Sequence, residues 1–183
     1  MNSGSTSSKL SDSMKTNLIL GLKNSSLEYL EIINYILLNK IFEKSDTRLL
    51  NIVTNYLEYH DGHILVNRNY RDNQSMDFKC IWTVHKLHPI IYNAKITVGK
   101  EWLINACLKY HNYCVKIYPH LNNIFLSHWV KAYISYLKLC KKHQRVLPST
   151  EEEFIWHIHM LNHSIYVADT TNIFAHILYY EYI

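Results

Sequence analysis

The chain has 183 residues, 48% hydrophobic and 19% charged, with a formal net charge of +4. Those values exclude a disordered chain and fit a globular protein long enough to bury a sizeable core. The excess charge is too small to mark a polyanion-binding protein, and fifteen Tyr beside four Gly and plentiful Asn, Ile and Lys follow A/T-rich codons.

Residues 1–13 are Ser/Thr-rich and are expected to form a disordered tail ahead of a helical domain over 14–183. Ser25-Ser26-Leu27-Glu28 reads as a capping box opening a helix with Leu27, Leu30, Ile33 and Ile36/Leu37 on one face. Asp46 can cap the next helix, whose apolar positions are Leu49, Leu50, Val53, Tyr56 and Leu57, and Asp61-Gly62 marks its end or a kink. Residues 63–66 could form a short strand without a partner, and 67–76 read as a surface loop. Pro89 predicts a kink or restart, because it lacks an N–H and clashes with the preceding turn.

Gly99 precedes a helix carrying Leu103, Ala106, Cys107, Tyr110, Cys114 and Ile117, and Pro119 ends it. The next helix presents Phe125, Leu126, Trp129, Tyr133, Tyr136, Leu137 and Cys140, an aromatic stripe of the kind that fills a core. Thr150-x-x-Glu153 predicts a second capping box, with Glu151, Glu152 and Glu153 where the helix dipole favours acids.

One segment occurs twice. Residues 80–94 and 154–168 align at an offset of 74 residues, Trp82 on Trp156, and match at Ile81/Ile155, His85/His159, Leu87/Leu161, Ile91/Ile165, Tyr92/Tyr166 and Ala94/Ala168. Such self-similarity predicts an internal repeat, about 46–96 and 120–170. On a helix Ile155, His159, Asn162 and Tyr166 share one stripe, as do Ile81, His85, His88 and Tyr92. His85 and His159 therefore read as hydrogen-bonded core residues, with Tyr92 and Tyr166 as candidate partners. His157 points to the far side, where the first copy has Thr83, and is expected to face solvent, a cleft or a partner. It is the candidate functional residue.

Residues 153–169, Glu-Phe-Ile-Trp-His-Ile-His-Met-Leu-Asn-His-Ser-Ile-Tyr-Val-Ala-Asp, resemble the Trp-His-x-His-x-Leu-x-x-x-x-Tyr-x-x-Asp signature of the glycine-rich-domain-containing-protein-like family. Residues 82–92, with Leu87, His88 and Pro89, resemble that family's first signature, and Leu147-Pro148 ahead of the three acids is similar to its second lead-in. The likeness covers about residues 46–170. Thr83 replaces the first His of copy one, Lys95 its closing acid, and His163 stands where copy two often has Pro. With four Gly this sequence carries no glycine-rich tail. The resemblance implies a fold and a family, with no catalytic chemistry to carry over.

The alternative chemistry is a Zn²⁺ site. His159 and His163, at i and i+4 of a helix, could chelate one ion, with His85 or His88 as a further ligand, whereas His157 and His159 point roughly 200° apart. Lys141-Lys142-His143 with Arg145 is the one basic cluster and suits a solvated helix end. Cys80, Cys107, Cys114 and Cys140 form no CxxC pair and are expected to be reduced. No signal peptide is evident, and the longest apolar stretch, Ile32 to Phe42, is broken by Asn34, Asn39 and Lys40, so an intracellular chain that does not span a membrane is expected.

Together these readings predict an all-α fold of six or seven helices, built as two similar units. The expected function is a non-enzymatic module binding a protein partner without a cofactor. A Zn-using domain and a nucleic-acid binder acting through the small basic face are the alternatives.

Overall fold

The computed structural model describes residues 25–43, 47–64, 75–123, 126–143 and 146–179; most of these are helical, with no strand among them. The expected tail at 1–13, the Asp46 cap, Phe125, Arg145 and most of the 67–76 loop lie outside the described residues. In chain order the helices are α1 (25–38), α2 (Thr47–Ile64), α3 (Met76–Lys86), α4 (Pro89–Asn93), α5 (Lys100–Ile117), a 3₁₀ turn (Tyr118–Asn123), α6 (Leu126–Lys142), α7 (Thr150–Leu161) and α8 (His163–Phe174). The all-α expectation holds. Helix α2 runs through Asp61-Gly62 to Ile64, so residues 63 and 64 are helical and not strand.

The chain divides into two units. One comprises Tyr29–Pro119 with Tyr179–Ile183, and the other Met1–Glu28 with His120–Leu178. In the first, α2, α3 and α5 pack on one another and α4 follows α3. Its core takes Ile33, Ile36 and Phe42, with Val53 and Tyr56 from α2, Ile81 and Val84 from α3, and Leu103 and Cys107 from α5. Tyr35 donates to the Asp77 carboxylate at 2.9 Å and Arg48 approaches the same group at 3.4 Å, which ties α1, α2 and α3 at their polar edge. In the second unit α7 packs against both α6 and α8.

Two caps set where the signature helices begin. Ser75 accepts from the Phe78 N–H at the start of α3. At α7 the capping box is Ser149 with Glu152, reciprocally bonded at 3.2 and 2.7 Å, one residue before the predicted Thr150/Glu153 pair. Glu153 takes no part in the capping box and is buried.

Each signature is two helices, which raises the helix number above that expected from periodicity. The chain breaks at His88 (φ −110°, ψ 74°) and at Asn162 (φ −86°, ψ 60°), positions 74 residues apart. His88 N–H reaches the His85 carbonyl and Asn162 N–H the His159 carbonyl, both at 3.1 Å, while Tyr92 and Tyr166 N–H groups bond the carbonyls of His88 and Asn162. Pro89 follows the first break and His163 the second. Proline is therefore not what makes the break; it suits the first helical position that the break creates.

Candidate functional site

In the first unit α2 and α3 bring Tyr56 and His85 together. The Tyr56 hydroxyl lies 2.8 Å from His85 Nδ1, and the rings stand nearly perpendicular at 81°. Tyr92 meets the same imidazole edge-on, 5.5 Å between centroids. In the second unit α6 and α7 do the same with Tyr133 and His159, 3.0 Å from hydroxyl to Nδ1, and Tyr166 stands edge-on at 5.0 Å. The expectation that Tyr92 and Tyr166 bond the histidines is corrected: the partner comes from the preceding helix. Tyr166 takes the Trp156 indole N–H instead, at 2.9 Å, and Tyr92 is hydrogen-bonded by Trp82. Tyr56 and Tyr133 are 77 residues apart, off the 74-residue register, so the repeat did not mark them.

The second nitrogen distinguishes the sites. His159 Nε2 lies 3.3 Å from the Asp169 carboxylate, close enough to attract though not aligned as a hydrogen bond. A carboxylate only accepts, so a proton on Nε2, with Nδ1 accepting from Tyr133, is the tautomer that suits both neighbours. His85 Nε2 is buried without a hydrogen-bond partner. The residue matching Asp169 is Lys95, exposed and left-handed at φ 52°, because α4 ends there. Lys95 N–H bonds Tyr92 O and Ile96 N–H bonds Ile91 O, the paired bonds of a Schellman motif with Lys95 at its left-handed position.

Trp156 is buried, as expected, and Trp82 is partly buried, with Lys86 Nζ 4.3 Å from the centre of its ring. His157 is 1% exposed, which corrects its expected outward position. Every residue from Glu153 to Met160 is buried, so α7 has no solvent face for His157 to occupy. Thr83, its counterpart, is buried as well. The break at Asn162 puts His159 in the last turn of α7 and His163 at the start of α8, so the two are not at i and i+4 of one helix. His85 and His88 belong to the other unit. Among the described residues no three His, Cys, Asp or Glu side chains are grouped to hold an ion.

The first unit carries a cleft of about 810 Å³ that the sequence did not reveal. Trp102, Asn105, Lys109 and Asn112, one stripe of α5, form a wall, with His88 at the break, Glu43 and Tyr179 around it. His88 Nδ1 is 3.3 Å from the Tyr179 hydroxyl, and Trp102 stands edge-on to the His88 ring at 4.7 Å. Burial first, then the Lys109 charge, lowers the His88 pKa to about 4. Burial first, then His60 and His88, lowers that of His85 to about 3. Both rings are neutral near pH 7. Burial pushes the Cys80, Cys107 and Cys114 thiols up, away from the reactive thiolate. The arrangement offers an aromatic wall, amides and a cation, which suit binding.

Comparison with models of known families, with curated proteins and with solved structures found no match. Among the described residues no helix is long and apolar enough to cross a membrane.

Proposed function

We propose that this chain is a non-enzymatic helical module that binds a protein partner through the cleft beside His88. The observation that carries the reading is the make-up of that cleft. The stripe Trp102, Asn105, Lys109 and Asn112 offers an indole to pack against, side-chain amides to pair with peptide groups and a cation to select acidic sequence. The reactive side chains support the same reading, since the buried thiols are held protonated and the signature histidines bond tyrosines. The matching Tyr–His–Tyr contacts support a further proposal, that the two units are copies of one ancestral unit and that the chain is a divergent relative of the glycine-rich-domain-containing-protein-like family.

Lys109 is exposed and sits in the cleft wall, so its charge can be reversed without opening the core. Lys109→Glu is expected to keep the melting temperature and to lose a captured partner by at least tenfold, about the effect of 1.4 kcal/mol. Partner capture from extract, quantified for wild type and variant, checks this. Equal recovery of every captured protein by both would overturn the reading.

A further inference from the structure

A tyrosine from the end of the described chain lines this cleft. Helix α8 ends at Ala175, which takes the left-handed conformation (φ 62°) that a non-glycine residue adopts only at some cost. Residues 177–179 that follow lie outside any helix. Tyr179 lines the cleft, its hydroxyl 3.3 Å from His88 Nδ1 and its ring tilted at 50° to the imidazole, 6.2 Å between centroids. The imidazole thus meets the hydroxyl end of the phenol, the feature that distinguishes tyrosine from phenylalanine.

We propose that Tyr179 is an intramolecular occupant of a cleft built to take an extended, tyrosine-bearing peptide segment of a partner protein, and that the partner must displace it. This rests on the reading of the cleft as a protein-binding site. The neutral state of His88 fits it, because an uncharged imidazole can accept the phenol proton while Lys109 beside it favours an acidic neighbour of the tyrosine. A tethered occupant acts at an effective concentration of about millimolar, so it screens out weak ligands and admits only a segment that binds more tightly.

The test uses a labelled synthetic peptide of residues 174–183 (Phe-Ala-His-Ile-Leu-Tyr-Tyr-Glu-Tyr-Ile), titrated against the full chain and against its Tyr179→Ala variant by fluorescence anisotropy. The peptide is expected to bind the variant at least tenfold more tightly than the wild type, since the variant's cleft is vacated. The same peptide carrying Tyr179→Ala is expected to bind the variant at least tenfold more weakly. Equal binding to both proteins, binding to neither, or indifference to the peptide's tyrosine would overturn the proposal. Should Tyr179→Ala fail to fold, Tyr179→Phe, which removes only the hydroxyl facing His88, gives the same ordering with a smaller ratio. If the peptide fails while Lys109→Glu still loses its captured partner, self-occupancy alone is wrong; if Lys109→Glu loses nothing, the binding-module reading falls first.

Discussion

His85 and His159 are held alike, each by a tyrosine hydroxyl at Nδ1 and a second tyrosine standing edge-on, yet their units differ in what lies beyond the ring. Around His159 the second-signature unit is closed: Trp156 is buried, its N–H is taken by Tyr166, and Asp169 faces Nε2. In the first-signature unit His85 is equally buried, but no carboxylate among the described residues pairs with its Nε2, Trp82 is partly exposed, and a cleft lies beside the His88 break. The difference follows from helix length. Helix α8 continues to Phe174 and so carries Asp169 alongside His159, while α4 ends at Asn93 and its chain turns away through Lys95. The same tyrosine–histidine–tyrosine contacts thus stand beside a carboxylate in one unit and near a cleft in the other.

The largest expected effect separates the two tryptophans. Trp156→Ala deletes a buried indole and leaves the Tyr166 hydroxyl without that donor, and should cost about 3–5 kcal/mol. Trp82→Ala removes a partly exposed ring with Lys86 Nζ above it, and should cost less, roughly 1–2 kcal/mol. Urea unfolding of both variants measures the gap. Equal losses would show that the two signatures are packed alike after all.

Acid should act on the first-signature unit next. In the unfolded chain each imidazole gains its proton near pH 6.5, whereas in the fold His85 does so at about 3 and His88 at about 4. Between those values the unfolded state binds more protons, so stability is full above pH 6.5 and falls as the pH drops toward 4. The loss between pH 7.5 and pH 5 should be roughly 2 kcal/mol for each histidine. Burial is the main cause of both shifts, with His60 and His88 beside His85, and Lys109 beside His88, acting in the same direction. Unfolding free energies across that range, for wild type and for His88→Asn, check it. A wild-type profile that stays flat would show that neither ring is held neutral.

How much of this was legible depends on range. Periodicity sufficed for the helices, because α2, α3, α5 and α6 bury one face and repeat their apolar residues at helical spacing. The repeated Trp, His and Tyr marked the right residues, since Trp156, His159 and Tyr166 meet within one unit. The breaks at His88 and Asn162 were half visible: Pro89 signals one, but a backbone turn made without proline leaves no mark at Asn162. His157 was misplaced because the stripe argument assumes a solvent face, and α7 between α6 and α8 has none. Tyr179 and Trp102 reach the cleft from distant parts of the chain, and no local spacing encodes a contact across 91 residues.

The smallest effect tests the cause assigned to the difference. Asp169→Asn keeps the side chain's shape and removes the charge facing His159 Nε2, on a residue only partly exposed. It should cost about 1 kcal/mol, below the value for an aligned charged hydrogen bond because the 3.3 Å approach is not aligned. If residue identity alone separated the units, Lys95→Asp would restore the missing acid and stabilise the first unit by a similar amount. If helix length is the cause, the new carboxylate stays in solvent, since Lys95 is exposed, outside α4 and left-handed, a conformation aspartate tolerates. The expected change for Lys95→Asp is therefore within about 0.5 kcal/mol of zero. Thermal and urea unfolding of the two variants side by side decide it: a clear gain for Lys95→Asp would mean that the acid can reach His85, and that the short α4 is not what keeps a carboxylate from its Nε2.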